Sequence, residues 1–327
     1  MKRVCFIIPY FGHLPNYFQL FLKTCKENKH FNWLIFTDDN TNFKYPSNVT
    51  KISMTFDECK HIIKSKFDCK ININKPYKLC DLKPMYGYIF EEYIKEYKYW
   101  GHCDTDTLMG NLEKILTDEF LEEYDKFFCL GHMSIYKNNF NNNRIFMSLH
   151  NGKYTYKEVL ANPSICWFDE EWNNSNSINQ IFKEQGKKIF STDLSLNISI
   201  SYNQFRRTTF IGQANNLYEI EKPKKTICIW SNGNLYRIYK DKDKLIQEEF
   251  LYIHLQSRVM KMEPSILHLN QFKIIPDEFL PLEVKEVKIN NFNKIKKRGI
   301  CYHKLRLFKK HIIKRLNKYF INKHHPE

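Results

Sequence analysis

The segment YKYWGHCDTDTLMGN, residues 97–111, decides how the rest of the chain is read. Its first seven residues are short, aromatic and largely apolar, which predicts a buried strand over 97–103. That strand ends in Asp104-Thr105-Asp106, and Gly110-Asn111 then turn the chain toward a helix. Two carboxylates at i and i+2 just past a strand end can share one hard divalent cation, directly or through water. Such a cation can bridge the diphosphate of a substrate. Ligands bind at the open end of an α/β sheet, so Asp104 and Asp106 are the first candidate metal ligands. The bland alternative for the same residues is a solvated turn.

Upstream, residues 3–9 (RVCFIIP) and 32–37 (NWLIFT) are further short apolar runs, and residues 16–28 between them can form one helix, a β-α-β opening. From Leu82 to Tyr97, apolar residues recur at Met85, Ile89, Tyr93 and Tyr97 with Tyr86, Phe90 and Ile94 beside them, predicting one helix with a broad apolar face. Downstream strand candidates are 126–130, 195–201, 226–230 and 234–239, with a weaker helix at 178–186. Alternation of strands and helices in the first half predicts an α/β sheet with helices on its faces. The second half reads as less regular. Two Asn-rich stretches, Asn138–Asn143 and Asn173–Asn179, read as exposed loops.

Composition narrows the function classes. With 43% hydrophobic and 16% aromatic residues in 327, the chain has ample material for a core, which excludes disorder. The net charge of +15 is unevenly placed: residues 285–327 hold 14 Lys/Arg against Glu286 and Glu327, or +12, leaving +3 for residues 1–284. A near-neutral body argues against a nucleic-acid-binding protein. No apolar run reaches the roughly 20 residues needed to span a bilayer. Val4–Ile8 after Met1-Lys2-Arg3 has the look of a signal peptide's opening, but Pro9, Gly12 and Pro15 interrupt it, so it reads as a first strand. Ten scattered cysteines without a C-x-x-C pair predict reduced thiols and a cytosolic location. In the basic tail, Leu305, Phe308, Ile312, Leu316 and Tyr319/Phe320 fall on one helical face, with Lys309, Lys310, Lys314, Arg315 and Lys318 around the rest. That amphipathic pattern suits an anionic membrane surface.

The D-x-D-x-T at 104–107 resembles the first motif of haloacid-dehalogenase-type phosphatases, in which the first Asp is a nucleophile and the second a general acid. It arrives here after a hundred residues, and no downstream G-D-x-x-x-D follows. A phosphohydrolase is therefore the enzymatic alternative.

A larger ordered set points elsewhere. I-I-P-Y-F-G (7–12), F-T-D-D (36–39), P-Y-K-L-C-D-L-K-P-M-Y-G (76–87), Y-W-G-H-C-D-T-D (99–106), G-H (131–132), F-D-E (168–170) and H-L-Q-S-R (254–258) together resemble bacterial capsular and cell-surface polysaccharide glycosyltransferases of the GT-A fold. The resemblance covers roughly residues 3–260. It implies a Rossmann-like mixed sheet flanked by helices. A catalytic domain would span 1–284, with 1–132 as the nucleotide-sugar half and 133–284 as the acceptor half, followed by the tail at 285–327.

Carried over residue by residue, the resemblance gives Pro9, Tyr10, Phe11, Thr37 and Asp38 to the nucleoside. Asp81, Lys83 and nearby Lys78 would face the donor sugar and its phosphates, with Lys83 standing where related enzymes often have Arg, which loses bidentate geometry. His254 would be the third metal ligand, in an apolar run where a lone His otherwise belongs to the core, and Arg258 a phosphate partner. Asp169 and Glu170 would act on the acceptor, deprotonating its hydroxyl or hydrogen-bonding it, with Gly131 and His132 lining the same cleft. The implied activity is Mn²⁺- or Mg²⁺-dependent transfer of a hexose from a nucleotide sugar, UDP-linked, to a lipid-linked or polysaccharide acceptor. The enzyme would sit on the inner face of the cell membrane, held there by its tail.

Overall fold

The computed structural model describes residues 2–171, 176–198, 204–213 and 216–296, together with 305, 308, 309, 312 and 313. It is a mixed α/β structure. Among the described residues, seven strands form its largest sheet: β1 (Lys2–Pro9), β2 (Phe31–Thr37), β3 (Val49–Ser53), β4 (Tyr97–Cys103), β6 (Lys126–Phe127), β7 (Met133–Lys137) and β8 (Ile189–Phe190), in the order β3-β2-β1-β4-β7-β6-β8. A short β5 (Thr107–Met109) lies outside it. The first four strands in that order are parallel, and β7 runs antiparallel to β4.

The core explains why β1 and β2 read as continuous apolar runs. Val4, Phe6 and Ile8 enter one hydrophobic cluster with Phe31, Trp33 and Ile35, while Cys5 and Ile7 enter a second with Leu34 and Phe36. Alternate residues thus face opposite sides of a sheet covered on both faces. Helix α1 (Phe18–Lys26) covers the first face through Phe18, Phe21 and Leu22. Helix α2 (Phe56–Ser65) covers the second through Cys59 and Ile63, and Thr55 with Glu58 forms a capping box at its start.

The second half is more regular than its sequence suggests. Strands β12 (Thr226–Ser231), β13 (Asn234–Asp241), β14 (Lys244–Phe250), β16 (Lys261–Met262), β17 (Gln271–Ile275) and β18 (Glu278–Pro281) make a six-stranded sheet in the order β14-β13-β12-β17-β18-β16. A smaller sheet joins β5 to β9 (Ser195–Asn197) and β15 (Tyr252–His254), with β15 in the middle. Strands β10 (Thr208–Gln213) and β11 (Asn216–Ile220) pair with each other.

Several expectations need correction. The single helix over 82–97 is replaced by a 3₁₀ segment at Pro76–Met85, one α-turn at Tyr86–Ile89 and a second 3₁₀ turn at Glu91–Tyr93. Pro84 removes a backbone donor inside the segment. Gly87 is pressed against Trp100, whose Cε2 would lie 2.1 Å from any Cβ placed there. After the D-x-D the chain forms β5 before it reaches the helical turn at Asp118–Glu122. Asn142 and Asn143 are buried, not looped out, and Asn143 accepts from Trp100 Nε1 at 2.8 Å. Asn179 is also buried, whereas 173–175 lie outside the described residues. The body does not end at 284, because Phe292 and Ile295 pack against Ile227, Ile229 and Ile238. Among the described residues, no helix is long and apolar enough to cross a membrane. Leu305, Phe308 and Ile312 are exposed; Lys310, Lys314, Arg315, Leu316, Lys318, Tyr319 and Phe320 lie outside the described residues.

Candidate functional site

Strand β1 pairs with β2 on one side and with β4 on the other, so the chain changes direction across the sheet between β1 and β4. All three strands are parallel, so their carboxyl ends share one edge of the sheet, the place where such sheets bind ligands. Pro9 closes β1, Thr37 closes β2, and Asp104 follows β4 directly.

Asp104, Asp106 and His254 come together there, with one potential ligand atom from each within 4.8 Å of the others. Register explains how a histidine so distant in sequence arrives. Strand β15 runs antiparallel to β5 with His254 opposite Thr107, and the Leu255 N–H donates to the Asp106 carbonyl at 2.8 Å. Strand β9 flanks β15 with Asn197 opposite His254, and His254 Nδ1 lies 3.1 Å from Asn197 Oδ1. Because that amide oxygen only accepts, Nδ1 donates to it. Burial works to lower the His254 pKa, but Asp106 and Asp104 raise it above its ordinary value, which favours a second proton on Nε2 facing the carboxylates. Release of that proton frees the Nε2 lone pair for a cation. His254 Nε2 is 3.4 Å from Asp106 Oδ1 and 3.9 Å from Asp104 Oδ2.

The donor set fits a divalent cation. Asp106 Oδ1 is buried and makes no hydrogen bond, whereas Oδ2 accepts from the Ser257 N–H and lies 3.4 Å from Ser257 Oγ. Burial works to raise the Asp106 pKa, but His254 and the Ser257 N–H outweigh it and hold the group below the usual carboxylate range. Two carboxylates and one imidazole suit Mn²⁺, with Mg²⁺ as the harder alternative.

Lys83 links this cluster to a second one. Its Nζ donates to Asp104 Oδ1 and to the Gly131 carbonyl, each at 2.7 Å, and lies 3.5 Å from Asp169 Oδ2. Burial alone would lower its pKa; Asp104 and Asp169 reverse that and hold it well above its ordinary value. Asp169 is pushed up, foremost by burial and against the pull of Lys83, with Glu170 and Asp104 adding to the rise. Gly131 permits this crowding, since a Cβ there would sit 2.5 Å from Asp169 Oδ2 and 3.1 Å from Glu170 Oε2. Buried His132 leaves Nε2 without a partner while Nδ1 meets the Tyr252 hydroxyl at 2.7 Å, and its ring centroid lies 4.6 Å from that of His254.

Other predicted site residues are placed differently. Asp81 and Lys78 are fully buried against each other at 2.7 Å, and Asp81 also accepts from the Cys166 and Phe168 N–H groups. Asp81 therefore has no face toward a donor sugar, nor Lys78 toward phosphates; the pair supports the loop that carries Asp169. Phe11 is core, its ring 5.5 Å from that of Phe56. Thr37 is buried, and its Oγ1 accepts from the Asp39 N–H at 3.2 Å. Pro9 and Tyr10 are half-buried and Asp38 is exposed, accepting from the Gly12 N–H at 2.7 Å. Arg258 turns to Pro276 and to Asp277 Oδ1, at 3.2 Å from the latter.

Sequence reasoning missed Asn197, Ser257 and Asp39. Asn197 acts through a strand pairing that no local pattern announces. Ser257 follows Gln256 in a turn with φ of +53° and +52°, respectively, a backbone that side-chain chemistry does not reveal. Asp39 accepts from the Leu14 and Thr41 N–H groups, each at 2.8 Å, which fixes the loop after β1. The doubled acid in T-D-D was its only signal.

A family model described as "Family of unknown function (DUF6625)" matches residues 6–283, and the chain belongs to that family. Among curated proteins, no relative matches it.

Proposed function

We propose that this member of the DUF6625 family is a divalent-cation-dependent glycosyltransferase of the GT-A type, moving a hexose from a nucleotide sugar, UDP-linked, to a lipid-linked or polysaccharide acceptor. The observation that carries this reading is the convergence of Asp104, Asp106 and His254 beside the β1–β4 switch point, in the parallel part of the mixed sheet. Asp104, Asp106 and His254 Nε2 would hold Mn²⁺ or Mg²⁺. When bound, that ion supplies neutralisation of the departing diphosphate.

The chain's own groups divide the remaining work by position. Tyr10 and Asp38, at the ends of β1 and β2, suit a nucleoside by stacking and by accepting from a base N–H. Lys83 keeps a positive charge between the metal-side carboxylate and Asp169, where leaving-group charge develops. Asp169, whose raised pKa brings it toward neutrality, can take the proton of the attacking hydroxyl, and Glu170 can hold that hydroxyl in place. The exposed Leu305, Phe308 and Ile312 within a strongly basic segment support a tail resting on an anionic cytoplasmic membrane surface, close to lipid-linked acceptors.

The test is a thermal-shift screen of nucleotide sugars with and without Mn²⁺, followed by donor hydrolysis. A shift that needs both nucleotide sugar and Mn²⁺, with hydrolysis lost in Asp106→Asn, is the expected result. Turnover of a generic phosphomonoester with no nucleotide-sugar response would replace the transferase by a phosphohydrolase.

A further inference from the structure

Trp167 combines two features that rarely coincide. Its side chain is 60% exposed, and its backbone has φ of +53°, a left-handed conformation unfavourable for a bulky residue. Exposed aromatics are unremarkable singly, but strained backbone persists only where surroundings enforce it. Here the enforcement can be named. The N–H groups on either side, of Cys166 and Phe168, both donate to Asp81, at 2.9 Å to Oδ2 and 3.4 Å to Oδ1. Asp81 is locked by Lys78, which also grips the Ser164 carbonyl at 2.7 Å. Phe168 is driven into the core, so a turn pinned on both sides leaves the indole pointing outward.

Topology places the loop that carries the indole. Two residues on is Asp169, and the Glu171 N–H donates to the Cys129 carbonyl at 3.1 Å. That bond ties the loop to the segment between β6 and β7. In the sheet, β7 and β6 lie on one side of β4, while β1 and β2, with Tyr10 and Asp38 at their ends, lie on the other. Trp167 therefore belongs to the flank away from the nucleoside. Tyr77, adjacent to Lys78 in the chain, is a second exposed aromatic by the same buried pair, 70% exposed.

We propose that Trp167, supported by Tyr77, is a stacking platform for the apolar face of an acceptor pyranose. An aromatic ring binds the C–H face of a sugar through its electron-rich π surface and apolar area, without needing a specific hydroxyl partner. It fixes the ring plane and leaves the sugar's hydroxyls to Asp169 and Glu170. This assignment rests on the glycosyltransferase reading for the word acceptor, but not for the binding of a sugar.

The experiment uses the full chain labelled with ¹⁵N at its five tryptophan indoles. The Trp167 signal is identified by its loss in Trp167→Phe. Titration with methyl β-D-galactopyranoside and methyl β-D-glucopyranoside should move that signal, and affinity should fall about tenfold in Trp167→Ala but much less in Trp167→Phe, which keeps a stacking ring. A Trp167 signal that moves with UDP and not with either glycoside overturns the platform in favour of a nucleobase contact. A signal that moves with neither overturns it outright. Mn²⁺-dependent donor hydrolysis by the unsubstituted chain is measured alongside. If that hydrolysis is absent while the glycoside response persists, the sugar platform stands and the transferase reading falls.

Discussion

Lys78–Asp81 and Lys83–Asp104 are chemically the same ion pair, each closing to 2.7 Å, and their lysines are five residues apart in one 3₁₀ segment. Their surroundings separate them. Both side chains of the first pair are fully buried, and Asp81 spends its remaining capacity on two backbone N–H groups. In the second pair the Lys83 and Asp104 side chains keep 12% and 32% of their surface exposed, and Asp104 faces Asp106 and His254 across a site where the buried Asp106 Oδ1 meets only the His254 imidazole, at 3.4 Å. A closed pair can only hold structure, because every lone pair is already used. An open one has capacity left for a ligand.

The sharpest test of that contrast removes charge from the open side. Asp106→Asn, and nearly as strongly Asp104→Asn, should lower transfer by a factor on the order of 10²–10³ while the thermal midpoint stays close to that of the parent. A large loss of stability with residual metal-dependent activity would make the open cluster structural too. On the closed side, Asp81→Asn should leave Lys78 buried and unpaired, costing about 3–5 kcal/mol in urea unfolding. Replacing both partners by Lys78→Met and Asp81→Leu should recover only part of this, because the Cys166 and Phe168 N–H groups then lose their acceptor.

Smaller effects refine the comparison. Asn197→Ala should raise the Mn²⁺ concentration needed for half-activity by roughly tenfold, since Asn197 orients the ring without touching the ion, and His254→Ala should raise it by roughly a hundredfold or more. Equal effects of the two would argue that His254 serves the core. Gly131→Ala should push Asp169 and Glu170 away from Lys83, and a loss in transfer with donor binding retained would locate the damage on the acceptor side.

The last effect concerns another buried carboxylate, Asp193, which accepts from the Ser195 N–H at 3.1 Å and from Ser195 Oγ at 3.0 Å. Burial pushes its pKa up to about 7. An unfolded Asp titrates near 3.9, so between about pH 4 and 7 the unfolded chain releases a proton that the folded chain retains. This group therefore favours folding at low pH, and that contribution is lost as pH rises to about 7. Asp193→Asn should flatten the corresponding slope by at most about 1.4 kcal/mol per pH unit, as read from urea midpoints across that range.

What was legible in the sequence follows the range of the interactions. Strands β1, β2 and β4 are readable to within a residue or so because both sheet faces are buried and their apolar runs are continuous. β3, with its mixed burial, and β14, whose residues before Phe250 are all exposed or half-exposed, carry no such run and were not anticipated. The helix expected over 82–97 followed apolar spacing alone, whereas Pro84 and the contact of Gly87 with Trp100 broke it. At the site, Asp104 and Asp106 were readable from their place after a strand, and His254 from the order of motifs. The fate of Asp81 and Arg258 was not, because it depends on Cys166, Phe168 and Asp277, partners fixed only by tertiary structure.

The three-stranded β5-β15-β9 sheet has a consequence for how the protein reaches its native state. Asp106 and Ser257, which meet there, are 151 residues apart in the chain. Contacts of such long separation demand closure of a large loop before they return any energy, and they slow the search for the native topology. Asp104, Asp106 and His254, the candidate cation ligands, are therefore brought together only once that closure is complete. Mn²⁺ added during refolding should leave the folding rate nearly untouched and slow unfolding instead. The half-life of the folded chain would then be set by the ion's concentration in its compartment.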